Sequence, residues 1–134
     1  MKAGLILFFF LSATIISYSQ THHVDVSFAG LKKGSIDITN HLSDSLTFTD
    51  RDVAKCSKVI AFNLTLVCKG VPLHQYVNPN GNSFTPEMKD GIRSVHSGCV
   101  IVFSQIKLDT PHDCLSKFRE YWIPDHEVIR LSLK

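Results

Sequence analysis

Apolar and polar positions alternate with period two along several short stretches of this chain, and the period lengthens once, between two of the strongest stretches. From Lys58 to Val67, Ile60, Phe62, Leu64 and Leu66 fall on one face while Asn63 and Thr65 fall on the other. From Cys99 onward Val100, Val102, Ile106 and Leu108 point one way and Ile101 and Phe103 the other, so apolar residues occupy both faces, as in a strand inside the fold. From Val128 to Lys134, Ile129, Leu131 and Leu133 point inward and Arg130 and Ser132 outward. Between the first two stretches, Met88, Ile92 and Val95 recur at i, i+4 and i+7, the spacing of a helix stripe. Thr85 is placed to cap that helix, Pro86 to open it, and Gly98 to stop it, which predicts a helix near residues 86–97.

The remaining pattern is weaker. His22–Phe28 alternates through Val24, Val26 and Phe28 and reads as a first strand, and Ile36 and Ile38 continue with period two after turns at Ala29-Gly30 and Lys33-Gly34. Asn40–Asp52 reads as a polar loop anchored by Leu46 and Phe48 and holding at most a short strand. Val71–Val77 is a short strand after a Lys69-Gly70 turn, and Asp109–Asp125 is irregular, with a helical turn around Leu115–Phe118. Six or so strands and one short helix predict a mainly β fold, an antiparallel sandwich-like single domain. The chain has no repeat, low-complexity tract or linker.

The apolar strand carrying Phe62, Leu64 and Leu66 is followed by a Gly81-Asn82 turn with Phe84-Thr85 and then by the helix. Gly98, Ile101, Phe103 and Ile106 come next, and Val128–Leu133 closes the series. In this order the elements resemble the C-terminal domain of the gliding-motility protein GldM, a periplasmic stalk component of the type IX secretion machinery. The resemblance covers roughly residues 30 to 134. It implies a β-rich periplasmic interaction domain without catalytic activity. Its expected partners are cell-envelope proteins, type IX secretion components among them.

Lys2 followed by an apolar run and then by Ser17-Tyr18-Ser19 has the form of a cleavable signal peptide over residues 1–19, with cleavage expected before Gln20. The run from Ala3 to Tyr18 is shorter than the ~20 residues that span a bilayer, so no membrane insertion is expected after cleavage. The predicted mature chain, residues 20–134, is 115 residues long, enough for one core and too short for two. Its expected location is the periplasm or the exterior. Lys2 is the only charge in the signal, so the formal net charge falls from +2 to +1 on cleavage, with acidic and basic residues interspersed. That balance predicts no binding to nucleic acid.

All four cysteines, Cys56, Cys68, Cys99 and Cys114, lie in the mature part. An even number in a small exported domain favours disulfides. A strand between Cys56 and Cys68 holds them further apart than a bridge tolerates, which disfavours that pairing. If the strands at 58–67 and 100–108 are antiparallel neighbours, Cys68 lies near Cys99 and Cys56 toward Cys114. The expected bridges are therefore 68–99 and 56–114.

Few residues are spaced for chemistry. Seven histidines, at positions 22, 23, 41, 74, 96, 112 and 126, show no metal-binding spacing, and no nucleophile elbow or phosphate loop is present. Cleavage before Gln20 leaves Gln-Thr-His at the terminus, a square-planar Cu(II) or Ni(II) geometry that cyclisation of the glutamine would remove. No metal, cofactor or catalytic residue is expected. His112-Asp113-Cys114 is the densest reactive cluster, and a small exported enzyme or enzyme inhibitor using the loop His112–Trp122 is the alternative reading. Tyr121, Trp122 and Ile123 are the candidate binding contact, because aromatic residues are enriched at interface cores. Asn63-Leu64-Thr65 fits a glycosylation acceptor but falls within a predicted strand.

Overall fold

The computed structural model describes residues 21–23, 25–109, 120–122 and 128–134. Nine strands and two α-helices are found in this part: β1 (Thr21–His23), β2 (Val26–Phe28), β3 (Lys33–Ile36), β4 (Leu46–Phe48), α1 (Arg51–Ala54), β5 (Lys58–Cys68), β6 (Val71–Asn78), α2 (Pro86–Ser94), β7 (Val100–Asp109), β8 (Glu120–Trp122) and β9 (Ile129–Leu133). A 3-10 turn, Ile38–His41, follows β3. The fold is mainly β, as the alternation predicts. Its centre is a five-stranded sheet in the order β3-β9-β7-β5-β6, with two-stranded ribbons β2-β4 and β1-β8 beside it.

The sheet explains the three strongest stretches of alternation. Leu66 sits opposite Ile101, and Ile101 opposite Leu131; Leu64 sits opposite Phe103, and Phe103 opposite Ile129. These six side chains form two apolar rows across the middle strands, and all are fully buried. The β2-β4 ribbon lays Val26, Phe28 and Leu46 over them, while α2 contributes Met88 and Ile92 to the same core. Phe28 and Phe84 each stack or tilt against Phe103, at ring-centroid distances of 5.1 and 5.8 Å, and Phe62 lies 5.7 Å from Phe103. The result is two layers with aromatic packing between them.

Two bulges change the parity that simple alternation predicts. Between the pairs Val59–Leu108 and Ala61–Lys107, β5 carries one extra residue, Ile60. Val59 is therefore buried, whereas Ile60, expected to face the core, is 39% exposed. The Ile60 carbonyl accepts a hydrogen bond from Gly81 N–H at 2.7 Å. Between Ala61–Lys107 and Asn63–Ser104 the extra residue lies on β7, where Gln105 takes a φ of +46°. This shift brings Ile106 and Leu108 against the core with Ile101 and Phe103, rather than onto the side of Val100 and Val102. Val102 is buried nonetheless, so the first half of β7 is covered on both faces.

Other elements differ from the sequence expectations in local ways. The stretch 22–28 is two short strands, and Val26, Ser27 and Phe28 are all buried. Ile36 ends a strand that pairs parallel with β9, so the sheet is mixed at this edge, and Ile38 belongs to the 3-10 turn. The loop 40–52 contains β4 and leads into α1, whose N-cap Asp50 accepts from Asp52 N–H and Val53 N–H. α2 starts where Thr85 and Pro86 predict but stops at Ser94 with Val95 as its cap, before Gly98. Gly98, at φ +88°, instead turns the chain into β7, and its N–H donates to Leu133 O at 3.0 Å. Within the segment expected to be irregular, Glu120–Trp122 forms β8, paired parallel to β1; the helical turn expected at 115–118 lies outside the described residues.

The loop between β6 and α2 fastens the layers together. Asn78, buried, donates through Nδ2 to Ser83 O at 2.7 Å and accepts from Asn80 N–H at 3.0 Å. Asn82 O accepts from Leu46 N–H at 2.8 Å, so the same loop holds both the sheet, through Gly81, and the ribbon, through Asn82.

Candidate functional site

β5 and β6 are joined by a two-residue turn, Lys69-Gly70, in which both residues have positive φ, 51° and 75°. Positive φ at both positions matches the right-handed twist of the strands and makes a tight hairpin. One step before the turn, Cys68 is bridged to Cys99, with Cα atoms 4.3 Å apart. The bridge continues the β5–β7 ladder beyond Val67–Val100 and lies where antiparallel neighbourhood of the two strands predicts it. Cys56 is also disulfide-bonded, and its partner lies outside the described residues, as does Cys114 of the expected 56–114 pair.

Facing the hairpin is the connection from α2 to β7. It is held by short-range backbone bonds, Val95 N–H to Ile92 O and Cys99 N–H to His96 O, both at 3.3 Å, and by Leu133 N–H to Cys99 O at 2.8 Å. Hairpin and connection enclose a groove of about 450 Å³. Its apolar lining comes from Leu73, Val95 and the disulfide, and its polar rim from Lys69, His96 and Ser97. A smaller depression of about 100 Å³ adjoins it, sharing Val95, His96 and Ser97 and reaching Asp37 and Thr39. Among the described residues, no acidic side chain lines the larger groove.

The groove opens beside β6, which stands at one end of the five-stranded sheet. Among the described residues, β6 pairs with β5 alone, leaving its outer edge without a strand. β6 carries no Asp, Glu, Lys or Arg, and Val71, Leu73 and Val77 are 57%, 51% and 64% exposed. A register shift between Leu66 and Val67 makes Leu73 the extra residue of the ladder. Pro72, which lacks an N–H, is tolerated because the strand lies at an edge. On the inner side Tyr76 packs against Gly91 of α2: a Cβ added to Gly91 would overlap the Tyr76 hydroxyl and fall 2.7 Å from Cζ.

Of the residues suggested by sequence, Cys68 and Cys99 line the groove. The backbone of Tyr121 and Trp122 belongs to β8, opposite His22 and His23, whereas their side chains and the whole of Ile123 lie outside the described residues. His112, Asp113 and the expected cleavage point before Gln20 also lie outside them. His41 bonds Asp44 at 2.6 Å, and the His74 ring lies 6.0 Å from that of Tyr76. Among the described residues no three His, Cys, Asp or Glu side chains form a metal-binding group, and no helix is long and apolar enough to cross a membrane. Asn63 of the glycosylation-like triplet lies in β5, its Nδ2 donating to Gln105 Oε1 at 2.8 Å. The β6 edge had a legible signal, the uncharged run Val71–Asn78 after a tight turn. The groove had none, because it forms only where two distant turns meet.

No protein-family model, curated protein or solved structure matches this chain.

Proposed function

We propose that this chain is an exported, non-enzymatic interaction module of the cell envelope, of the kind that the GldM-type resemblance implies, and that it takes an extended segment of a partner protein onto the free edge of β6. The observation that carries this reading is the edge itself. Eight residues long and without Asp, Glu, Lys or Arg, it exposes three large apolar side chains. Soluble domains ordinarily blunt such an edge with lysines, bulges, proline or short length, because unpaired N–H and C=O groups recruit other strands. β6 has only Pro72 and the bulge at Leu73 in that role. An added strand would satisfy its backbone groups, and the side chains would supply selectivity.

The GldM-type part of the reading rests on the sequence resemblance over residues 30 to 134, carried by the strand with Phe62, Leu64 and Leu66, the Gly81-Asn82 turn and the helix that follows it. The Cys68–Cys99 bridge supports an oxidising compartment.

A photo-crosslinking amino acid placed at Val77 in the cells that make the protein tests the proposal. Specific adducts with envelope proteins are expected from Val77, and none from an exposed control at Lys55 on the α1 side. Identification of type IX secretion components among the adducts would support the GldM-type assignment. Equal labelling from both positions, or adducts from neither, would overturn the edge as the binding surface.

A further inference from the structure

Resting on that reading, we infer that the groove beside β6 receives one bulky apolar side chain of the bound segment, and that Lys69 pairs with a carboxylate next to it in the partner. Three observations converge. The groove, about 450 Å³, is large enough for an aromatic or branched aliphatic side chain and falls within the usual size of ligand pockets. Leu73 belongs both to the edge strand and to the groove wall, so a strand added along β6 passes the groove mouth. Leu73 is half exposed, leaving apolar surface to be covered by an occupant.

The charge around the mouth selects the neighbour of that side chain. Lys69 makes no ion pair among the described residues, and its positive φ inside a disulfide-anchored turn fixes the direction from which its side chain departs. Arg93, on the far side of the connection, is already engaged with Asp90 at 3.1 Å. His96 shares the rim, and among the described lining residues no carboxylate answers Lys69. An extended segment with a bulky apolar residue beside Asp, Glu or a terminal carboxylate therefore complements the surface. Both walls are braced, by the bridge on one side and by the bonds of Gly98 and Cys99 to β9 on the other, so the groove costs little ordering when it fills.

The test uses the disulfide-bonded chain without residues 1–19 and a phage library of random heptapeptides. Selected peptides should converge on a bulky apolar residue adjacent to an acidic one. Leu73→Lys should weaken binding of the synthesised consensus peptide by tenfold or more. Lys69→Glu should weaken it similarly at low salt, and exchanging the peptide's acid for lysine should restore binding to Lys69→Glu. N-methylation of alternate peptide amides, which leaves the protein untouched, should abolish binding. A consensus without the apolar–acidic pair, or binding that ignores Leu73 and Lys69 yet is lost on N-methylation, overturns the groove assignment and leaves the β6 edge intact. Failure to select any peptide with a chain that stays monomeric, or binding indifferent to N-methylation, overturns both. Self-association abolished by Val77→Lys, with no peptide selected, would make a second copy the occupant and overturn the partner assigned here.

Discussion

Cys68 and Cys99 stand opposite each other as the next rung after Val67–Val100, bridged at a Cα separation of 4.3 Å across the neighbouring inner strands β5 and β7. The bond thus joins residues that the ladder already holds together in the native state, so its contribution lies chiefly in the unfolded chain.

Removing that bridge should destabilise the domain without changing its fold. The two cysteines are separated by 31 positions, for which chain-entropy arguments give roughly 3–4 kcal/mol. The Cys68→Ser, Cys99→Ser pair is expected to lower the urea midpoint accordingly while keeping a β-type circular dichroism spectrum. Peptide mapping under non-reducing conditions should recover a 68–99 peptide; a 56–68 peptide would contradict the ladder.

Gly91→Ala should destabilise, against the usual trend for a helix. Alanine in place of glycine normally gains up to about 1 kcal/mol in a helix interior. Here the new methyl group meets the Tyr76 ring, and overpacking of this kind costs about 1–3 kcal/mol. In a Tyr76→Ala background the same substitution should turn neutral or stabilising. Additive effects in the double-mutant cycle would show that the two residues are not in contact.

Core and edge should respond oppositely to truncation. Phe103→Ala removes the ring against which Phe28, Phe62 and Phe84 pack, and should cost about 3–5 kcal/mol. Val77→Ala, at an exposed position, should stay within about 0.5 kcal/mol and affect binding alone. Thermal melts of both variants check the contrast.

Asp37 supplies the pH dependence that the structure makes explicit. Its carboxylate accepts from the Thr39 hydroxyl at 2.6 Å, from Thr39 N–H at 3.3 Å and from Asn40 Nδ2 at 3.0 Å. The Thr39 hydroxyl above all holds its pKa below the ordinary carboxylate value; the Thr39 N–H and the charges of His41 and Lys134 add to this. A lowered folded-state pKa means that the contribution is complete above the unfolded value, about 4, and fades as pH falls through the lowered one. Asp37→Asn should therefore narrow its stability gap to the parent protein on acidification. A gap unchanged from neutral to acidic pH would assign the effect to packing.

How far the sequence discloses this molecule depends on whether a feature is periodic. Phe62, Leu64 and Leu66, the Ile129–Leu133 alternation and the Thr85-Pro86 helix start are local patterns, and each lies where its pattern predicts; the 68–99 bridge follows from two such strands being antiparallel neighbours. Ile60, Ile106 and Leu108 do not, because a single inserted residue reverses every side chain beyond it. Gln105 at φ +46° gives no advance notice, since glycine or asparagine is the usual sign of that conformation. Asp50, by contrast, was a readable helix cap set in a stretch that looked merely polar. The groove beside Leu73 was not readable, since it needs the Lys69-Gly70 turn and the 95–99 connection to be neighbours.

The position of β9 bears on how the protein reaches its native state. Ile129–Leu133 lies between β3 and β7, pairing parallel with one and antiparallel with the other. During synthesis or export, every other strand of the five-stranded sheet is present before this one, and two inner edges wait open for it. Pairings so remote in sequence make folding slow, on the order of milliseconds to seconds. Through that interval two strand edges stand open beyond the two, on β3 and β6, that end the finished sheet, so a holding chaperone would matter most just before Ile129 emerges.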